Sequence, residues 1–185
     1  DYISASPNRY TEITISTWAN FDSFPTGSNY ETLVNPRYDG DVVLQVDSSG
    51  KAVFGGYFYS PSGIQRATGS TSLSTGIWYH LVGTWSEDTD KLKIYLNGSL
   101  EGTYSMSSSS SYLRDQNAFN YFGRDYNGNY LDGILDHVSI WSTDLSAAAI
   151  QALYNAPEGK DTVYSTLHYG GSDSKTDNDG GVGDL

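Results

Sequence analysis

The 185-residue chain contains no cysteine. Disulfides, thiolate metal sites and cysteine nucleophiles are therefore excluded. Apolar runs are short, and none approaches the roughly 20 residues that span a bilayer, so no membrane insertion is expected. Lysine and arginine number 10 against 22 aspartates and glutamates, a net charge of −12. A surface of that sign repels nucleic acid and anionic lipid, so neither is an expected partner. It suits divalent cations or neutral ligands. The histidines, at 80, 137 and 168, have no metal-ligand spacing, and no Gly-x-Ser-x-Gly nucleophile elbow occurs. Initiator methionine and a signal pattern are also missing from "DYISAS", so a processed form or a part of a larger chain is expected.

What is abundant is tyrosine (16) and glycine (20), with much serine and threonine. Strand formers broken by small turn residues point to β architecture. Alternation of period two recurs along the chain. In "EITISTWANF" (12–21), Ile13, Ile15 and Phe21 fall on one face and Thr14, Ser16 and Trp18 on the other. "AVFGGYFYS" (52–60) and "IWYHLVGTWS" (77–86) read as strands. Gly55-Gly56 marks a bulge or a close backbone approach. "KLKIYLNGSLEGTYS" (91–105) reads as a hairpin turning on Asn97-Gly98, with Leu92, Ile94 and Leu96 pointing one way and Lys91, Lys93 and Tyr95 the other. Asn97-Gly98-Ser99 is formally a glycosylation sequon, read here as turn chemistry. "YLDGILDHVSIWS" (130–142) is the last strong strand region. The single good helix follows in "TDLSAAAIQALYN", capped by Ser146, with Ile150 and Leu153 on one face. About ten short strands and one short C-terminal helix define an all-β, two-sheet antiparallel jelly-roll sandwich over residues 1–155. Residues 156–185 form a Gly/Asp/Ser-rich extension or linker.

Two kinds of site suggest themselves. Asp125, Asn127 and Asn129 present alternate oxygen side chains among glycines, as calcium takes from loops, although the bidentate glutamate of an EF-hand is missing. The same residues suit a polar turn ahead of a strand, and spacing leaves both readings open. Asp177-Asn178-Asp179 in the tail is a second, lesser calcium candidate. Sugar binding calls for flat aromatic faces with fixed polar groups. Tyr57 and Tyr59 share one strand face, and Tyr126 and Tyr130 flank the asparagine cluster beside Arg124. On "LDGILDHVSIW", Asp132 and Asp136 would share a face about 13 Å apart. That is too far for the paired carboxylates of a glycosidase, and Asp136 reads as structural.

"WYHLVGTWSEDTDKLKIYLNG" and "FGRDYNGNYLDGILDHVSIWSTDLSAAAIQALYN" together resemble the laminin-G-like modules of the concanavalin A-like lectin/glucanase superfamily. Those modules carry a Trp-x-His strand before an Asn-Gly hairpin, then a Gly-x-Ile-Asp-x-Val-x-Ile-Trp strand and a Leu-Ser-x-x-x-Ile helix. The likeness spans roughly residues 1–155, and the matching position makes His80 a packed structural histidine. Pentraxins are similar at one remove: Val82 and Glu87 depart from their motif. By that resemblance the 125–129 loop holds calcium, joined by an amide/acid pair near Asn29 and Glu31, with ligand contacts from the same loop. The laminarinase-type hydrolases of this fold carry Glu-x-Asp-x-x-Glu, and none of Glu12, Glu31, Glu87, Glu101 and Glu158 is followed two residues later by aspartate. The tail resembles connectors in some marine bacterial and phage structural proteins. The expected function is a non-catalytic, calcium-assisted carbohydrate-binding or adhesion module of a larger secreted, surface or virion protein. It would bind a glycoconjugate and be flanked by further domains. A structural or protein-interaction module of a phage or virus particle, and a polysaccharide hydrolase or lyase, are the alternatives.

Overall fold

A computed structural model describes residues 11–36, 42–107, 112–113, 121–125 and 129–156, with Tyr112 and Leu113 by backbone alone. Tyr126, Asn127, the 177–179 cluster and the extension from 157 onward lie outside the described residues. Among the described residues there are eleven strands and one helix, in the order β1 Glu12–Phe21, β2 Tyr30–Asn35, β3 Val43–Asp47, β4 Lys51–Ser60, β5 Ser62–Ser72, β6 Trp78–Ser86, β7 Lys91–Leu96, β8 Ser99–Ser105, β9 Tyr112–Leu113, β10 Tyr121–Phe122, β11 Gly133–Trp141 and α1 Ala147–Asn155. The first sheet runs β11-β1-β6-β7-β8 and the second β10-β2-β3-β4-β5, with β9 also pairing β4. Every pairing between strands is antiparallel. The expected sandwich is therefore what the chain builds.

Alternation decides which side chains meet between the sheets. Ile13, Ile15 and Phe21 of β1, Leu92 and Ile94 of β7, and Phe54 and Phe58 of β4 are fully buried in one core with Trp85. Phe58 and Trp85 meet edge to face, centroids 5.6 Å apart. Each such side chain contributes about 1.5–3 kcal/mol through burial. Gly83 of β6 lies directly under Phe54: an added Cβ would stand 2.1 Å from Phe54 Cδ2. Gly55 does the second of the two things expected of Gly55-Gly56. Its register with β5 is continuous, so there is no bulge there, and a Cβ would meet the Gln65 carbonyl at 2.1 Å.

The hairpin β7–β8 turns on Asn97 (φ 48) and Gly98 (φ 80). Both central residues with positive φ make the turn whose twist matches two antiparallel strands. Asn97 also accepts from the His80 backbone N–H at 2.9 Å through Oδ1. That pins the turn to β6. Helix α1 starts where Ser146 Oγ accepts from Ala149 N at 3.2 Å. It lies on the outer face of the first sheet, where Ile150 packs on Val82 and Tyr95. Its approach is held by the Lys93–Asp144 ion pair at 2.9 Å.

On the other side, the edge strands β5 and β8 close the sandwich. A Cβ at Gly102 would sit 2.2 Å from the Thr68 carbonyl, so only glycine lets the two backbones come this near. Glu101 fastens the seam, accepting from Ser70 N (3.0 Å), Ser70 Oγ (2.5 Å), Thr71 N (2.9 Å) and Thr71 Oγ1 (3.0 Å). Partial burial pushes its pKa up, but these bonds to Ser70 and Thr71 outweigh it and the pKa is lowered. A depressed carboxylate pKa stabilises the fold above its unfolded value, and that stability is lost as pH falls through the folded value. Glu101→Gln is expected to lower Tm by a few degrees at neutral pH. The deficit against the parent protein should close below the ordinary carboxylate range; melting curves from pH 7 to pH 3 check this.

Candidate functional site

Residues 121–125 and 129–132 form the outgoing and returning arms of an excursion from the edge of the second sheet. Strand β10 pairs Tyr121 with Asn35 and Phe122 with Val34. Beyond it, Gly123 N donates to the Leu33 carbonyl and Leu131 N to the Gly123 carbonyl, both at 2.9 Å. Arg124 then bridges to Tyr130. At the tip, Asp125 N donates to the Asn129 carbonyl at 3.0 Å. The Asp125 carboxylate accepts from Asn129 N at 2.9 Å and from Asn129 Nδ2 at 2.7 Å. Asp125 and Asn129 are thus brought together, each as the other's partner, and they tie the two arms to each other. The Arg124 guanidinium lies over Tyr121 at 4.8 Å and over Tyr130 at 5.6 Å. Tyr130 is 68% exposed.

At the base of the excursion is a corner that the sequence pattern only half reveals. Glu31 of β2 is buried, 9% exposed, and its Oε2 has no hydrogen-bond partner among the described residues. Burial pushes its pKa up; the Asp132 backbone N–H donates to its carboxylate and lowers it, and the Asp132 charge raises it again. Asp132 Oδ2 in turn accepts from Ser23 Oγ at 2.7 Å, and the Asp132 carbonyl from Asp22 N at 2.9 Å. Asp132 lies just ahead of β11, which begins at Gly133, where a Cβ would stand 2.2 Å from the Asn20 carbonyl. Asp132, Ile134 and Asp136 alternate as exposed residues with Leu131, Gly133 and Leu135, as strand alternation implied. Asp136 stands 60% exposed beside His137. Asp132 was missed as a partner of Glu31 because 101 residues of chain separate them. The Gly133 that follows it is a local signal of close backbone approach, here to the Asn20 carbonyl.

Among the described residues no three His, Cys, Asp or Glu side chains are grouped to hold a metal ion. The corner nonetheless has the right chemistry for a hard cation. It holds two carboxylates, one with a buried oxygen unpartnered, and calcium takes carboxylate and carbonyl oxygens. An uncompensated buried carboxylate is costly, and a bound cation would offset that. Exposed Asn29 precedes β2. Tyr57 and Tyr59 lie on β4, with centroids 6.4 Å apart, edge to face. They are separated from the Arg124–Tyr130 group by β2 and β3. The sequence's ligand-binding tyrosines therefore do not form one cluster. His80 is the structural histidine expected of it: 2% exposed, with Nε2 2.8 Å from Ser16 Oγ.

With the sandwich and this rim in view, comparison with known proteins identifies the lineage. Residues 1–151 match the family model Laminin_G_3, described as the concanavalin A-like lectin/glucanases superfamily, and the chain belongs to that family. No curated protein matches it. A Bacteroides ovatus structure whose name proposes carbohydrate binding superposes with TM-score 0.63 at 18% identity, covering 82% of this chain and 42% of that one. The receptor binding domain of botulinum neurotoxin D gives TM-score 0.61 at 20% identity, over 83% of this chain and 39% of that one. The heptameric SAP-like pentraxin of Limulus polyphemus gives TM-score 0.52 at 18% identity, over 78% and 70%. The chain spans about two fifths of the first two proteins. At these identities the likeness is one of fold. The Bacteroides and neurotoxin structures are named as binding proteins or domains.

Proposed function

We propose that the protein is a non-catalytic carbohydrate-binding module of a larger secreted, surface or virion protein, assisted by calcium at the rim corner. One observation supports the calcium reading above others. The buried Glu31 Oε2 has no partner among the described residues and lies beside a second carboxylate, at the foot of an excursion bearing exposed Tyr130 and stacked Arg124. Glu31 and Asp132 would hold the ion, with Asn29 upstream. Asp125 and Asn129, already bonded to each other, would shape the tip, about 7 Å further along the excursion than its base. Calcium would supply a fixed positive charge to which sugar hydroxyls can turn their oxygens. Arg124 and Tyr130 would offer the ring face and donors alongside. Two of the three named neighbours carry binding in their names, which is consistent with this role.

A glycan array read with calcium and with EDTA tests the reading. Binding that EDTA removes is the expected result. The ion is expected to add about 2–3 kcal/mol when present at 100 times its dissociation constant, or about 5–10 °C in Tm for a chain of this size. Glu31→Gln should abolish that gain while matching or exceeding the parent in EDTA, because it removes a buried charge. A calcium-independent Tm in the parent would remove the metal from the account. The pair Glu31–Asp132 also favours a second reading. Two neighbouring carboxylates, one with its pKa raised, are the equipment of a glycoside hydrolase. Reducing-sugar release from a broad polysaccharide panel, lost in Glu31→Gln, would establish it; silence across the panel would end it.

A further inference from the structure

The outer face of the first sheet is only partly covered by α1, and its open end lies apart from the Glu31–Asp132 corner. Asn20 of β1 pairs with Ile134 of β11 on one side and Trp78 of β6 on the other. Directly opposed residues of antiparallel strands share a face. Ile134, Asn20 and Trp78 therefore form one row, about 10 Å across three strands. The next row is Asp136, Trp18 and His80. Tyr154, near the end of α1, stacks on Trp18 with centroids 5.8 Å apart and walls the platform on the helix side.

The row is unlike an ordinary solvent face. Ile134 is 58% exposed and Trp78 40% exposed. Between them, Asn20 Oδ1 has no hydrogen-bond partner among the described residues. A shielded acceptor left unpaired is costly, and a donor that reaches it recovers that cost. One row further in, Asp136 Oδ1 is fixed by the His137 backbone N–H at 2.7 Å and lies 3.1 Å from the ring Nδ1. His137 itself has φ 49, within an irregularity where β11 spends two residues, 137 and 138, opposite Thr17. Such bulges re-aim neighbouring side chains. The two rows carry no lysine or arginine. They offer an aromatic plate, an apolar rim and two oxygen acceptors, without a fixed cation to attract an anion.

We infer that this open end is a glycan platform for neutral pyranose chains, a second site apart from the rim corner. An indole plate takes the C–H face of a sugar ring, and the Asn20 and Asp136 oxygens take its hydroxyl protons. An anionic glycan is disfavoured by Asp136. The inference rests on the carbohydrate-binding reading, but it needs no calcium.

The test is affinity electrophoresis in EDTA with laminarin, xyloglucan and galactomannan as neutral probes, backed by sedimentation and Tm for every variant. The parent protein is expected to be retarded by at least one probe. Trp78→Ala and Asn20→Ala should each weaken retention by about tenfold, the scale on which one stacked ring or one buried polar partner is felt. Ile134→Arg, an exposed change that leaves the core alone, should block retention sterically. Retention in EDTA that survives both Trp78→Ala and Ile134→Arg overturns the platform and leaves the carbohydrate reading standing. No retention of the parent by any probe, with or without calcium, overturns both. Trp78→Ala that converts a dimer to a monomer without altering retention makes the face a self-association surface and overturns the platform.

Discussion

Gly83→Ala is expected to cost about 3 kcal/mol or more, and Gly83→Val more still. The added Cβ would lie 2.1, 2.2 and 2.7 Å from Phe54 Cδ2, Cγ and Cβ. No rotation of the newcomer relieves this, because a Cβ is fixed by the backbone. Phe54 must vacate its place, and a buried phenylalanine lost from a core costs about 3–5 kcal/mol. A shift of the β6 backbone would instead strain pairings with both β1 and β7, where Gly83 opposes Ile15 and Ile94. For a chain of this length the loss corresponds to about 6–12 °C in Tm. Gly69→Ala is the control, since its Cβ would meet the Ala52 carbonyl at an ordinary 3.4 Å. A double-mutant cycle sharpens the assignment: in a Phe54→Ala background Gly83→Ala should cost far less. Equal costs in both backgrounds would sink the explanation.

The second large effect is on acid stability. Burial lowers the His80 pKa to about 4, against about 6.5 in an unfolded chain. The ring is enclosed by Trp18 at 5.3 Å and Tyr154 at 6.1 Å, and its Nδ1 has no partner among the described residues. Between these two values the unfolded chain binds a proton that the folded one refuses. Stability is therefore full above pH 6.5 and declines as pH falls toward 4. The whole loss is roughly 3 kcal/mol. Glu31 works in the opposite sense, since a carboxyl whose pKa is raised on folding favours the native state as it protonates. His80→Gln separates the two: its stability should vary less between pH 6.5 and 4 than that of the parent. A parent and variant with parallel pH profiles would show that His80 is not the group responsible.

The fold was legible because period-two alternation is a local property. Ile13, Ile15 and Phe21, or Leu92, Ile94 and Leu96, announce their common face within one strand. Asn97-Gly98 announces its turn in two residues, and Ser146 its helix in four. The site was harder to read because its relations are long-range. Asp125 and Asn129 were recognisable as an oxygen cluster, yet the spacing could not say that they would bond to each other. Asp132 reads as part of a strand, while its backbone N–H reaches Glu31 and its carboxylate Ser23, partners that lie on other segments. Trp18 and Trp78 lie 60 positions apart in the numbering. Their place on one face, in successive rows, exists only in the register of β1 on β6, which no stretch of either strand contains.

The turn at Asn97 bears on how the protein could be made. Asn97 belongs to a sequon, but its amide oxygen is already engaged by the His80 N–H. Gly98 lies so close under Gln151 that even a Cβ would be 2.8 Å from its Oε1. An oligosaccharide would be carried by the Asn97 amide nitrogen, one residue from the place where Gln151 covers the hairpin. In a eukaryotic secretory host the sugar would therefore crowd the seat of the helix. A sugar added before the hairpin closes would oppose the docking of α1, so substitution of Ser99 by alanine should raise the yield of folded protein there and leave a bacterial preparation unchanged.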